Sequence, residues 1–342
     1  MRCASGLPPA RAADIAARPL CRRAAMCDKT ASCFAEDRTL MSTAAAIAPA
    51  PSTTAQAWRD ITWTARDGLR LYARHYPAPS SHLRPVLCLA GLTRNSRDFH
   101  DLALALSRGP TARNVYALDY RGRGLSAHDP DWRNYAVPIE MFDVQDFITA
   151  EGIAGAAIVG TSRGGLIAMV LAAVQPTVLG PVVLNDIGPI IEYAGLLRIS
   201  GYIGKATVPL SWEQATRTVR EIWGPFFPGV PEDRWDYITR QLYMEKDGRP
   251  AAGYDPKLMK SFSLADGRVP ELWPQFLALS RAPVFVIRGE LSDLLSAATV
   301  AEMVRRHPRC RAATVPGQGH APLLQDPPTI GAISAFLAEH DH

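Results

Sequence analysis

A glycine–serine–glycine motif supplies the clearest nucleophile in the sequence. Residues 160–164, GTSRG, match the pattern G-x-S-x-G. In this pattern the serine sits on a strained turn from strand to helix, and small flanking residues let neighbouring backbone approach. An apolar run at 156–159 precedes the motif and a helical pattern at 166–174 follows it. The context predicts a nucleophile, Ser162, above a helix N-terminus that favours an anion; a turn without chemistry is the alternative.

Candidates for a general base and a supporting acid lie C-terminal to Ser162, each after an apolar run that is predicted to be a strand. His320 lies in a glycine-lined loop after the last predicted strand, Asp293 follows the run at 283–287, and Asp186 follows the run at 181–184. Ligands bind beyond the carboxyl ends of parallel strands. His320 would remove the serine proton, and a carboxylate would fix the histidine tautomer. Asp293 is preferred because its Gly-x-x-x-Asp turn suits delivery of a carboxylate to a following histidine, and Asp186 is the alternative.

The elements that must position these residues alternate between strands and helices. A hairpin is predicted from 60–66 and 69–76 across an Asp-Gly turn. Buried strands are predicted at 85–90, 114–118, 156–159, 181–184, 283–287 and 312–315, and helices at 98–107, 138–150, 166–174, 297–306 and 329–339. This alternation predicts an α/β fold with a doubly wound, mostly parallel sheet.

The alternation stops between residues 190 and 280. This segment has helical patterns at 211–223 and 232–244, no buried-strand signal, and four of the seven tryptophans. Large amphipathic rings in an insertion suggest a helical cap, or lid, over an apolar cleft, although they also suit the cap's own core. The predicted organisation is therefore a core from 58–189 and 281–342, with the cap inserted between the two parts.

Composition excludes several classes of protein. The chain has 342 residues, of which 47% are hydrophobic and 20% charged, so it can form one α/β domain with an insertion. The first 40 residues hold seven basic and four acidic residues of a chain with net charge +4, so the remainder is near neutral and does not indicate nucleic-acid binding. No apolar stretch is long enough for a membrane span. Cys88 and Cys310 suit small buried hydrophobes, and the absence of a CxxC or His-rich spacing predicts no metal and no cofactor.

The first 57 residues are predicted to be a disordered leader. They are rich in Ala, Pro, Ser, Thr and Arg and lack sustained periodicity. Met26 or Met41 is a candidate for the true start. Prolines from Pro8 to Pro19 interrupt the apolar core that a secretory signal needs. We therefore expect a cytoplasmic monomer or homodimer, with secretion as the less favoured alternative.

Four motifs together resemble the α/β-hydrolase family. They are GTSRGG at 160–165, DYRGRGLS at 119–126, RGELSD at 288–293 and GQGH at 317–320. The resemblance covers about residues 58–339 and is greatest to bacterial esterases and lactonases with a helical cap. It implies that Ser162 is the nucleophile, His320 the general base and Asp293 the triad acid, although some relatives take the acid from the position of Asp186.

The resemblance also implies an oxyanion hole from the backbone N–H groups of Leu92 and Arg163. Many relatives carry His-Gly where this chain has Ala90-Gly91. The backbone donors should survive this change, but a polar contact that supports the loop is missing. Arg94 and Asn95 follow the loop and either bind a substrate carboxylate or form contacts within the loop; the second interpretation is favoured.

These features predict a carboxylesterase that acts through an acyl-enzyme. The expected substrates are small-molecule or oligomeric esters with apolar acyl groups, including polyesters. Alternatives on the same residues are C–C bond hydrolysis, lactone opening and cofactor-free perhydrolysis. Epoxide hydrolases and haloalkane dehalogenases resemble this family but use aspartate in place of Ser162. A non-catalytic ligand sensor is the alternative from a different class of protein.

Overall fold

The structure is a computed structural model of the 342-residue chain. It describes residues 57–204, 209–261 and 270–341. The prediction of a disordered leader and the two candidate start sites lie outside the described residues, apart from residue 57.

An eight-stranded sheet forms the centre of the described chain. The strands in chain order are β1 (Arg59–Thr64), β2 (Arg70–Tyr76), β3 (Val86–Leu89), β4 (Val115–Asp119), β5 (Ala156–Thr161), β6 (Leu179–Asn185), β7 (Tyr243–Lys246), β8 (Arg249–Ala252), β9 (Val284–Gly289) and β10 (Cys310–Val315). The order in the large sheet is β1-β2-β4-β3-β5-β6-β9-β10. β1 pairs antiparallel with β2, and β2 with β4; the other pairings in this sheet are parallel. The predicted mostly parallel sheet is confirmed.

Helices connect the parallel strands. They are α1 (His100–Leu106), α2 (Val137–Ala150), α3 (Arg163–Val174), α4 (Tyr193–Tyr202), α5 (Trp212–Trp223), α6 (Arg234–Leu242), α7 (Leu258–Ser261), α8 (Trp273–Ala278), α9 (Ala297–Arg306) and α10 (Pro327–Ala338). α10 begins two residues before the predicted start because Asp326 caps it and two prolines occupy its first turn. In the described ranges no helix is both long and apolar enough to cross a membrane.

The apolar runs of the sequence form strands that are buried on both faces. In β5, Ile158 packs into one hydrophobic cluster, whereas Ala157 and Val159 pack into a second cluster on the opposite side. All three side chains are fully buried. Successive side chains of a strand point to opposite faces, so a strand covered on both faces needs an unbroken apolar run. This is why the central strands could be located from sequence.

In the segment between β6 and β9, one predicted helix ends early and a hairpin follows it. The helix predicted to reach residue 244 ends at Leu242, and the chain continues as the antiparallel hairpin β7–β8. Asp247 and Gly248 turn this hairpin with φ of 51° and 72°. Positive φ at both positions is the requirement of the type I′ two-residue hairpin turn, for which Asp-Gly is well suited.

His100, at the start of α1, is expected to make the stability of the fold depend on pH. Its Nδ1 forms a hydrogen bond with the hydroxyl of Tyr76 (2.9 Å), and Trp58 packs edge-on against the ring. Burial, followed by the positive charges of Arg74 and Arg108, lowers the pKa of His100 from 6.5 to about 4. As the pH falls, His100 therefore takes up a proton near pH 6.5 in the unfolded chain but only near pH 4 in the folded chain.

The free energy of unfolding is accordingly expected to fall as the pH decreases from 6.5 towards 4. We expect His100 to account for about 1–2 kcal/mol of this loss, after allowance for its partial exposure. His100→Gln keeps a hydrogen-bonding partner for Tyr76 but does not titrate. Urea unfolding at pH 7.0, 5.5 and 4.5 should give a flatter pH dependence for this variant than for the wild type, and equal slopes would contradict the assignment.

Candidate active site

Ser162 lies on a tight turn between β5 and α3. Its φ is 50° and its ψ −112°, a conformation that costs a non-glycine residue energy and is found mainly at functional sites. The flanking glycines have no room for a side chain. A Cβ at Gly164 would overlap the carbonyl oxygen of Leu89, and one at Gly160 would lie 2.7 Å from the backbone of Gly164. The strand, turn and helix that the motif predicts are therefore all present.

His320 joins the serine to a carboxylate. Its Nε2 lies 3.0 Å from Oγ of Ser162, and its Nδ1 lies 2.8 Å from Oδ2 of Asp186. Because a carboxylate only accepts hydrogen bonds, Nδ1 carries the proton and Nε2 of the neutral ring is left to accept from the serine hydroxyl. The fold thus brings together three groups that are distant in sequence, in the order hydroxyl, imidazole and carboxylate.

Asp186 follows β6 and is fixed by donors from the last residue of β9 and from the loop after it. Its side chain is fully buried, and its backbone is in the left-handed region with φ of 55°. Besides His320, the carboxylate accepts hydrogen bonds from the N–H of Gly289 (2.8 Å) and the hydroxyl of Ser292 (2.6 Å). These donors satisfy a buried carboxylate and hold it in line with Nδ1 of His320.

Asp293 does not contact His320 in the way that the sequence analysis expects. Its carboxylate accepts two hydrogen bonds from Arg198 of α4, at 2.5 and 2.8 Å. Burial alone would raise the pKa of Asp293, but the bonds from Arg198 outweigh this effect and the pKa is lowered. In the structure Asp186, the alternative carboxylate of the sequence analysis, contacts the imidazole, and Asp293 forms an ion pair with Arg198 of α4.

Asn185 is a buried residue whose contribution the sequence analysis missed. Its backbone carbonyl accepts from the N–H of Ser162 (3.0 Å). Its side-chain amide donates to Oγ1 of Thr161 (3.1 Å) and to the carbonyl of Pro322 (2.9 Å). Asn185 therefore ties the serine turn to the loop that carries His320. The available signal was a polar residue at the end of an otherwise apolar strand.

Two backbone N–H groups stand free beside Ser162. Arg163 is the first residue of α3, where N–H groups have no partner within the helix. Gly91 approaches the serine closely enough that a Cβ built on it would lie 4.0 Å from Cβ of Ser162, and Leu92 follows it in the wall of the same cleft. Within the described residues, the N–H groups of Leu92 and Arg163 donate to no backbone or side-chain acceptor. Neither N–H group is therefore committed to another acceptor in the described chain.

Arg94 and Asn95 occupy different environments. Asn95 is buried, accepts from the backbone N–H of Arg97 and donates to the carbonyl of Gln241, so it fixes the loop. Arg94 donates two hydrogen bonds to Asp98, both at 2.6 Å, which is the interaction within the loop that the sequence analysis favours. Arg94 also lines the cleft, and its Nη1 is buried without a partner in the described chain.

An apolar cleft of about 200 Å³ opens above Ser162 and His320. One wall comes from the loop around Leu92, and another comes from the segment between β6 and β9 (residues 186–283). This segment contributes apolar and aromatic side chains, among them Ile199, Val219, Ile222, Trp223, Leu242 and Tyr254. The described residues contain no group of three His, Cys, Asp or Glu side chains that could hold a metal ion. The cleft suits an apolar substrate with its reacting atom at the serine.

Comparison with known proteins places this geometry in a family. Residues 86–330 match the model of the alpha/beta hydrolase family. The chain is 33% identical to the 3-hydroxybutyrate-oligomer hydrolase of Cupriavidus necator, over 79% of this chain and 94% of that protein. It is 28% identical to the 2-(acetamidomethylene)succinate hydrolase of Mesorhizobium japonicum, over 74% and 87%. An alpha/beta hydrolase structure from Novosphingobium aromaticivorans superposes with a TM-score of 0.76 at 38% identity, covering 82% of this chain and 98% of that one.

The match to the family model extends from β3 into α10 and includes Ser162, Asp186 and His320. The chain therefore belongs to the alpha/beta hydrolase family and is an enzyme of that family.

Proposed function

We propose that this protein is a serine hydrolase that cleaves carboxylic esters, with short hydroxyalkanoate ester oligomers as its substrate class. The observation that carries this proposal is the hydrogen-bonded series Ser162–His320–Asp186 at the floor of an apolar cleft. The similarity to an enzyme named for 3-hydroxybutyrate oligomers, along nearly its whole length, supports the substrate class. We further propose that residues 190–280 act as a cap, because side chains of this segment line the cleft.

In this mechanism Oγ of Ser162 attacks the ester carbonyl carbon while its proton passes to Nε2 of His320. The C–O bond to the alcohol breaks, and the alcohol leaves with this proton. A water molecule then gives a proton to His320, attacks the acyl-enzyme and releases the acid, and the proton returns to Ser162. Asp186 holds the tautomer and stabilises the imidazolium that forms twice in the cycle.

The backbone N–H groups of Leu92 and Arg163 are proposed to bind the negative oxygen of each tetrahedral intermediate. Their free state beside Ser162 supports this role. The positive end of α3 adds to the effect at Arg163. Removal of one such donor typically lowers kcat by about 10²–10³-fold.

Arg94 supports a second specificity, for substrates that carry a carboxylate. An ester oligomer of a hydroxy acid ends in a carboxylate, and the relative from Mesorhizobium japonicum is named for a succinate derivative. Nη1 of Arg94 is buried in the described chain without a partner, and Trp223 covers the guanidinium at 4.9 Å from its ring centre. We propose that this ring turns aside when a substrate carboxylate pairs with Nη1. Carboxylate-bearing substrates of other bond types are the second candidate function.

The substrate proposal is tested with the dimer and trimer of 3-hydroxybutyrate and with their methyl esters. We expect the wild type to release monomer from all of them, as measured by chromatography. Arg94→Met should lose about tenfold in kcat/KM on the free acids but less than about threefold on the methyl esters, since a hydrogen bond to a charged group is lost only with the acids. Absence of oligomer cleavage would reject the substrate class, and equal losses on acids and methyl esters would reject the role of Arg94.

A further inference from the structure

A buried series of charged side chains connects Arg163, at the start of α3, with Leu92, in the loop after β3. Arg163 donates through Nε to Oε2 of Glu140 (2.5 Å). The other oxygen of Glu140 lies 2.7 Å from Nη1 of Arg123, and Nε of Arg123 donates to the carbonyl oxygen of Leu92 (2.9 Å). Arg123 and Glu140 are both fully buried. The series thus begins at one proposed oxyanion donor residue, Arg163, and ends at the other, Leu92.

The two donor residues come from separate parts of the chain. Leu92 lies in the loop after β3, and Arg163 begins α3 after β5. Glu140 belongs to α2, which packs beside α3. The side chain of Arg163 also donates to the carbonyl of Tyr135 (2.9 Å). Because β3 and β5 pair as neighbouring parallel strands, the backbone already brings the two donor residues to the same edge of the sheet. The buried side chains add a second connection between them.

The loop at Leu92 has little other polar support from its own strand. Ala90 and Gly91, which precede Leu92, carry no polar side chain. Among the described residues, the side chain that donates a hydrogen bond to the carbonyl of Leu92 is that of Arg123. Because the peptide unit is planar, a hydrogen bond to the carbonyl of Leu92 fixes the plane of the peptide between Leu92 and Thr93. It thereby helps to orient the turn on which Leu92 lies.

Stability alone is a weak reason for such an arrangement. Burial of charged groups is costly, and well-packed apolar side chains of similar volume are often as stable as a buried ion pair. Burial would raise the pKa of Glu140, but the charges of Arg123 and Arg163 overcome this effect and lower it. Glu140 is therefore charged and pairs with both arginines. The hydrogen bonds from Arg163 to Glu140 and from Arg123 to Leu92 are directional, which an apolar contact would not provide.

We propose that Arg123, acting through Glu140 and directly on Leu92, is a positioning residue that sets the spacing of the two oxyanion donors. This inference rests on the proposed serine hydrolase function. It assigns a role to the second arginine of the motif at 119–126. The backbone of Arg123 also bridges to Tyr254 of the inserted segment, so a purely structural role for Arg123 is the alternative that the experiment must exclude.

The test compares Arg123→Met and Arg123→Lys with the control Arg113→Met. Arg113 is also fully buried and pairs with Asp341 at 2.7 and 2.9 Å, but it does not line the cleft. Arg123→Lys keeps a positive charge beside Glu140 and lacks the planar Nε donor to Leu92. It therefore keeps the test valid even when Arg123→Met does not fold. Melting temperature, kcat and KM for a p-nitrophenyl ester, and inhibition by an alkyl trifluoromethyl ketone are measured for each variant.

We expect both Arg123 variants to lose about 10- to 100-fold in kcat, with KM within about threefold of the wild type, because misplaced donors weaken binding of the oxyanion more than binding of the ester. The trifluoromethyl ketone, whose adduct with Ser162 carries an oxyanion, should bind more weakly by a similar factor. Arg113→Met should lower the melting temperature without these effects.

The proposal is overturned when kcat and ketone affinity in Arg123→Lys match those of Arg113→Met, or when the whole loss falls on KM. Neither outcome affects the proposed function, because the wild type would still turn over and still depend on Ser162. Turnover that persists without the Ser162 hydroxyl would instead reject the function itself.

Discussion

Ser162→Ala is expected to lower ester turnover about a millionfold, to the level that substrate binding and oxyanion donors provide without a nucleophile. The hydroxyl removed is the group 3.0 Å from Nε2 of His320. Alanine fits the space that serine occupies on the turn, so the melting temperature should stay within about 2 °C of the wild type. Initial rates on a p-nitrophenyl ester and labelling by a fluorophosphonate probe measure the loss.

Ser107→Ala is the matched control for this substitution. Ser107 follows α1, and its hydroxyl donates only to the carbonyl of Leu104 among the described residues. This variant should keep wild-type turnover and labelling. Turnover retained by Ser162→Ala would exclude an acyl-enzyme on this serine. Loss of turnover with fluorophosphonate labelling still present would locate the reactive serine elsewhere.

The strands and the serine turn were predictable because each depends on local sequence. A parallel strand covered on both faces must be apolar throughout, and β5 meets this requirement in a few consecutive residues. The turn at Ser162 excludes side chains at Gly160 and Gly164 by direct overlap, so it leaves a readable motif. His320 was identifiable because one glycine-lined loop follows the last strand.

The partner of His320 was not predictable in the same way. Asp186 and Asp293 follow the neighbouring strands β6 and β9. The sequence locates the end of each strand, but it does not show which of the two carboxylates lies beside His320. Arg198, 95 residues from Asp293 along the chain, draws that carboxylate into an ion pair. Ser292 of the loop that carries Asp293 donates to Asp186 instead. The carboxylate that contacts His320 is therefore decided by side chains that are distant in sequence, and a local sequence pattern does not reveal it.

The contact between Arg123 and Leu92 escaped prediction for a related reason. The sequence analysis recognised that Ala90 leaves the loop without a polar support. The compensating donor lies 31 residues away, on a motif that resembles a common loop brace. Its effect on the loop becomes visible only when side-chain positions are known. The cytoplasmic location and the oligomeric state stay predictions.

Asp186→Asn provides the sharpest test of which carboxylate supports His320. We expect kcat to fall about 10⁴-fold with little change in KM, as happens when asparagine replaces the acid of such a triad. An amide facing Nδ1 of His320 would donate to it, and the ring proton would move to Nε2. Nε2 could then no longer accept from the hydroxyl of Ser162, although the shape of the site is kept.

Asp293→Asn makes the same chemical change at the neighbouring strand end and is the matched control. Asp293 binds Arg198 and leaves both nitrogens of His320 to Ser162 and Asp186. We therefore expect its kcat to stay within about tenfold of the wild type, a loss that a shift of the inserted segment against the cleft explains. The reverse pattern, with the large loss at Asp293 and the small one at Asp186, would restore the sequence-based choice. It would also mean that His320 exchanges Asp186 for Asp293 during turnover, because in the structure the carboxylate of Asp293 binds Arg198 and not the imidazole.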